Sequence, residues 1–485
     1  VLTPRLVAAA LALAAAVPAA ARPATGDWPR FGVDAARTSD FRAGAGVSAA
    51  DLPHLRRQRV RLPGTVDSSP ILVRGVRMGG RGRDLLVMTT TYGTTLALYA
   101  RSGRAAWTFR PPGQRSLLGT PQVTTATPVA DPASGTVYAA SPDGRVHALS
   151  LATGRERRGW PVAVTRDATH EKIASALTLS RGRLVVVTGG YVGDAPPYQG
   201  HVVTIDARTG HVHSVWNALC SNRRGLMVPS SCSASDAAIW GRAAASVQPG
   251  TGRLLVATGN APYDGRTDWG DSVLELSPDG SRLLGAYTPR NQRELNDRDL
   301  DLGSSAPVPL PGDLALQGGK DALLRLIDLR RLSGGAAGPA RLGGELQTLP
   351  TPGRAQLFTA PAVDLHARGG PRIFVADGSG TAAYVLSGRR LHELWSTTTP
   401  GTSPVLAGGL LWVYDPSGNG LNVMRPGSPR PLATLRAGKG HWNSPIVADG
   451  VVALPEGDAN DHATTGVLDI LRVPSPTGAT RRRPA

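Results

Sequence analysis

Gly135-Thr136-Val137-Tyr138-Ala139-Ala140, then Asp143-Gly144-Arg145-Val146-His147-Ala148-Leu149, then Thr153-Gly154 and Trp160 make up one copy of a pattern that recurs along the 485-residue chain. Each copy has a Ser/Thr-Pro step, a short apolar run, a Gly-rich turn, a second apolar run ending in Asp or Leu, a Thr/Ser-Gly turn and often a Trp. Asp84 to Trp107 is a second clear copy. The runs are short, rich in Val, Leu, Thr and Tyr, and bounded by Gly or Pro, which predicts strands. A unit of four short strands cannot bury both faces alone, so a recurrence at fixed period predicts neighbouring units stacked around an axis. The expected fold is all-β: an eight-bladed β-propeller with four-stranded antiparallel blades.

The eight copies open near Asp67-Ser68-Ser69-Pro70, Thr127-Pro128, Ala174-Ser175-Ala176, Ile239-Trp240-Gly241, Gly303-Ser304-Ser305-Ala306-Pro307, Thr359-Ala360-Pro361, Thr402-Ser403-Pro404 and Asn443-Ser444-Pro445. The last copy runs out of chain before a fourth strand. Upstream of the first lies an unassigned strand-like segment, Leu55 to Leu62, so this segment is expected to supply the missing outer strand and close the ring. Trp107, Trp160, Trp216 and Trp395 are expected to stack between blades.

The domain expectation is a leader at 1–21, one propeller at 22–474 and a disordered basic tail at 475–485. Val1 to Ala21 has Arg5, an apolar run from Leu6 to Val17 and a small-residue stretch before Arg22, the layout of a signal peptide. A secreted, extracellular protein follows, with no transmembrane segment in the mature chain. Cys220 and Cys232 share one polar loop. In an oxidising compartment a structural disulfide is expected, with free thiols or a metal pair as alternatives. The 53 Lys+Arg against 36 Asp+Glu give a net charge of +17, almost all of the excess being Arg. The Arg sit singly in turns or in short clusters, without the dense one-sided basic pattern of a nucleic-acid surface. Attraction to an anionic cell wall is the simpler consequence. No C-x-x-C-H, H-E-x-x-H or G-x-S-x-G pattern occurs, which argues against covalent haem, zinc hydrolysis and serine hydrolysis.

The Ala148 to Trp160 and Thr204 to Trp216 patterns resemble the repeat of the pyrroloquinoline quinone (PQQ) enzymes and their non-catalytic relatives. Asp27-Trp28-Pro29-Arg30-Phe31-Gly32 looks like the opening segment of that superfamily. Three stretches are similar to the quinoprotein alcohol dehydrogenases. The resemblance implies Asn260 and Asp301 as calcium ligands, Asp299 as general base, and Asn260 and Lys320 as groups that bind the quinone. Two departures weigh against catalysis: the family's adjacent cysteine pair is lacking, and no Glu stands near Gly189-Gly190-Tyr191-Val192, where calcium ligation would be completed; Asp194 is the nearest carboxylate. Asp297-Arg298-Asp299-Leu300-Asp301 mimics the start of a calcium loop, with Gly303 one position late. Gly457 to His462 is a polar loop able to bind a cation or simply to join two strands. The function expected is therefore a monomeric binding or scaffolding module without a cofactor. Its protein or cell-envelope partner would dock at the channel mouth and rim loops. The alternative is a PQQ- and calcium-dependent alcohol or sugar dehydrogenase.

Overall fold

A computed structural model describes residues 26–474 apart from 43 and 419; the leader and the tail read from sequence lie outside the described residues. Eight sheets form the ring. Blade one consists of Ile71–Met78, Arg81–Thr89, Thr95–Tyr99 and Ala105–Phe109, paired antiparallel in chain order. The other inner strands are two or three residues long, as in Val129–Asp131, Val405–Ala407 and Ile446–Ala448. Outside blades one and two, each outer strand is longer than the inner strand of its blade. The outer strand Arg390–Thr397 is mostly exposed, with Leu391 buried and Trp395 and Thr397 partly buried.

The ring closes as the sequence predicts. Arg56–Leu62 pairs antiparallel with Gly466–Arg472 in unbroken register from Arg56 opposite Arg472 to Leu62 opposite Gly466. The strand from one end of the chain thus becomes the outer strand of the last blade, and the outer edge of Gly466–Arg472 is paired. Blade two departs from expectation at its outer edge. Its fourth strand is only Val162–Ala163 and begins after Trp160, because Pro161 has no N–H to give to a ladder.

The apolar core is divided among the clefts between blades. One cluster joins Ile71, Val87 and Trp107 of blade one to Val137 and Leu149 of blade two, and another joins Tyr138 and Trp160 of blade two to Leu184 and Val203 of blade three. The tryptophans do not stack on one another; each lies on the next blade. Trp107 Nε1 donates to the Leu151 carbonyl at 2.7 Å, and its ring covers Gly154, where an added Cβ would come within 2.6 Å. Gly154 also has φ +68°. In this copy the Thr-Gly turn and the preceding Trp are therefore one device: Gly154 is bare because the preceding blade's indole sits on it. The Trp395 indole donates in the same way to the Pro426 carbonyl of blade seven, at 3.1 Å.

The opening segment, 26–47, is a plug across the channel. Trp28 pairs with Leu72 of blade one, the Pro29 carbonyl accepts from Ala130 of blade two, and Arg30 donates to Leu179 of blade three. The Ala35, Thr38 and Ser39 carbonyls accept from Val247, Val363 and Leu406 of blades four, six and seven, and Asp40–Phe41 runs parallel to Val405–Ala407 as a fifth strand of blade seven. Gly44 and Ala45 reach Asp449 and Gly450 of blade eight. At the centre, Phe31 packs on Ala176, Ala243, Ala306 and Ala360 from four blades. Arg37 is fully buried and donates to the carbonyls of Phe31, Leu177 and Ala243 and to Thr178 Oγ1. Burial first, and then Arg30, hold its pKa down to about 9.

Candidate functional site

Antiparallel order brings two sets of loops to one face of the ring: those leading into each inner strand and those joining the second strand to the third. Their side chains enclose a cavity of about 370 Å³ at the channel mouth. A wider groove of about 720 Å³ shares Lys320 and Trp442 with it. The plug closes the channel beneath.

Four of the residues named from sequence meet here. Asp299 and Asp301 come from the loop before blade five and Lys320 from the second hairpin of that blade, and all three line the cavity. Lys320 Nζ lies 2.8 Å from Asp299 Oδ1 and 2.8 Å from Asp301 Oδ2, and 5.5 Å from the centre of the Trp240 ring. Asp301 Oδ1 accepts the Asn260 backbone N–H at 2.6 Å. Asp299 remains open, its side chain 55% exposed, whereas Asp301 is 6% exposed. Burial pushes the Asp301 carboxyl up, against the opposing pull of Lys320 and of the Asn260 N–H. Burial pulls the Lys320 ammonium down, and the charges of Asp301 and Asp299 more than reverse it. Both partners therefore rise, because desolvation outweighs pairing for the deeper group.

As arranged, this set does not fit a calcium ion. The Lys320 ammonium holds the position between the carboxylates, and Asp301 Oδ1 is already engaged by the Asn260 backbone N–H. A hard dication requires six to eight oxygens. Asp194 Oδ1 is engaged by the Tyr198 hydroxyl at 2.8 Å. The Gly457 to His462 loop lies on the other wall of the cavity, with Ala459 and Asn460 in the lining.

Sequence reasoning missed a second charged cluster. Asp67 is fully buried; its Oδ1 accepts from Arg242 Nη2 at 3.1 Å, and its Oδ2 from His441 Nδ1 at 2.8 Å and the Ala459 N–H at 3.1 Å. Burial alone would push this carboxyl up, yet Arg242, His441 and the N–H together hold it well below the usual range. Lys172 and the half-buried Trp442 complete the wall. From Trp442 a row of rings follows: His441 and Trp442 have centroids 5.1 Å apart, Trp442 and Phe358 4.7 Å, and Phe358 and Trp240 5.8 Å.

One positional signal would have found much of this set. Asp67, Thr125, Ala174, Arg242, Phe358 and Trp442 each stand four residues ahead of the inner strand of their blade, and each lines the cavity or the groove. The repeat itself therefore marks which position faces the axis.

Away from the cavity, Cys220 and Cys232 form the expected disulfide, with Cα atoms 6.1 Å apart. No helix among the described residues is long and apolar enough to cross a membrane.

The comparisons agree with this architecture. The family model described as outer membrane protein assembly factor BamB matches residues 57–245. No curated protein matches the chain. Among solved structures, the quinohemoprotein alcohol dehydrogenase from Comamonas testosteroni is 17% identical with a TM-score of 0.64, over 93% of this chain and 82% of that one. A europium-containing methanol dehydrogenase is 14% identical with a TM-score of 0.65, over 92% and 98%. BamB from Moraxella catarrhalis is 13% identical with a TM-score of 0.51, over 86% and 97%. At such identities the likeness is one of fold, and it extends to enzymes and an assembly factor alike. The chain is an eight-bladed β-propeller, and residues 57–245 of it match the assembly-factor family's model.

Proposed function

We propose that the protein is an exported binding module that takes a protein or cell-envelope partner at the channel mouth, without redox chemistry of its own. The observation that carries this reading is the row of half-buried rings from His441 to Trp240, which connects the cavity to the open groove. Partly exposed aromatic anchors in a concave site are what recognition surfaces use. The matching family model is described as that of an assembly factor, and BamB is also among the structural neighbours, which supports a protein partner. The competing reading, a PQQ- and calcium-dependent dehydrogenase, is favoured by the convergence of Asp299, Asp301 and Lys320 beside Trp240. It is disfavoured by the ammonium that stands between the two carboxylates.

Two measurements separate the readings. A ligand that binds only the folded state raises the melting temperature, so PQQ with Ca²⁺ should leave it unchanged, and no dye should be reduced with alcohols or aldoses. A melting shift together with dye reduction would overturn the binding reading. In a pull-down from an envelope extract, Trp442→Ala with Phe358→Ala should lose the partner that wild type and Asp299→Ala retain.

A further inference from the structure

Of the 53 Lys and Arg residues, 50 are Arg and only three are Lys: Lys172, Lys320 and Lys439. Two of the three line the same cavity, and Lys439 is exposed nearby on the loop that carries His441 and Trp442. Where charge alone is needed this chain uses guanidinium. Lysine differs in that its amine can lose a proton and act as a nucleophile. Lys320 is held between two carboxylates. Lys172 is not: it is 7% exposed, and among the described residues its side chain makes no hydrogen bond or ion pair.

Its backbone is pinned by reciprocal hydrogen bonds with Gly189, at 2.7 and 3.0 Å, and its side chain reaches the cavity wall. Arg242, Asp67 and Asp458 are the charged groups that act on it, and His441 and Tyr191 also line the cavity. Burial first, and then the positive charge of Arg242, bring the amine down to about 8, with Asp67 and Asp458 pulling less strongly the other way. Near neutral pH a useful fraction of such an amine is free base.

We propose that Lys172 forms a reversible imine with a small aldehyde that enters the cavity. The Nζ lone pair attacks the carbonyl carbon and a C–N bond forms. The carbonyl π pair moves to oxygen, which takes up the proton that Nζ releases. The carbinolamine then expels water as the C=N bond forms. No oxidant or reductant takes part. A cavity of about 370 Å³ lies at the small end of ligand pockets, which confines the class to small aldehydes. This capture is independent of the partner surface, so its failure would leave the pull-down result standing.

The test uses the intact wild-type chain with propanal and cyanoborohydride, followed by peptide mapping of the three lysines. Exposed Lys439 serves as the internal reference. An amine near 8 holds roughly a hundredfold more free base at pH 7.5 than an ordinary lysine near 10.4, and its lower basicity takes back part of that advantage. Lys172 should therefore label about tenfold faster than Lys439, on a pH profile that levels off above about 8. Labelling of Lys172 at or below the rate of Lys439, or a profile still climbing toward pH 10, would overturn the proposal. Lys172→Arg should remove this fast adduct while Lys439 labels as before, and a fast adduct that survives the substitution would also overturn it.

Discussion

Arg57 and Asp469 lie 412 positions apart in the chain, yet Arg57 Nη2 reaches Asp469 Oδ2 at 2.6 Å across the junction that closes the ring. The same nitrogen lies 3.1 Å from Glu456 Oε1, and Arg59 Nη2 lies 2.5 Å from Glu456 Oε2. Two cations from the closing strand Arg56–Leu62 and two acids from the last two strands thus set the register. A slip of one residue would turn both arginines to the other face.

Removing one partner of this network leaves the Asp469 carboxylate buried and short of a charge. Arg57→Ala should cost about 2 kcal/mol, below the range for fully buried pairs because Arg57 is partly exposed. Equilibrium urea unfolding reads it. Arg57→Lys should recover part of the loss.

Asp67 makes stability depend on acid. Its folded pKa lies below its unfolded value near 3.8, so its contribution is complete above pH 4 and is lost as the pH falls further. Asp67→Asn should lower stability at pH 7 by about 3 kcal/mol. The variant should also show a shallower loss than wild type between pH 4 and pH 2, followed by thermal melting across that window.

The buried guanidinium of Arg37 ties the plug to blades three and four. Arg37→Ala would leave the carbonyls of Phe31, Leu177 and Ala243 without that donor, at a cost of about 3 kcal/mol or more. Limited proteolysis should then cut within 26–47 before any blade is cleaved.

Gly154→Ala meets two penalties at once, a left-handed backbone and the Trp107 ring. A loss of about 2 kcal/mol is expected, more than the usual cost of alanine at positive φ. The double variant with Trp107→Ala should show less than the sum of the two single losses.

Loss of the disulfide tests a different kind of constraint. Cys220→Ser with Cys232→Ser opens a loop of 12 residues and should cost about 3 kcal/mol at most, read from the melting temperature with and without reductant.

The blades were legible in the sequence because each depends on local signals: strand runs, turn glycines and a tryptophan at fixed spacing. Ring closure by Leu55 to Leu62 followed from one strand too few at the other end. The site was less legible. The resemblance implies Asp299, Asp301 and Lys320 as one set, but the ion-paired arrangement that joins them depends on how the loops of blade five approach each other. Asp67, Arg242 and His441 stand on three separate loops, and only the closed ring makes them neighbours. Lys172 gave no local signal beyond its rarity.

Because the opening segment lies across the axis, with Phe31 and Arg37 at its middle, the molecule is a cup and not a pipe. Nothing can thread it. A guest must leave by the face it entered, where Trp442 lines both cavity and groove, so its residence time would be governed at the brim.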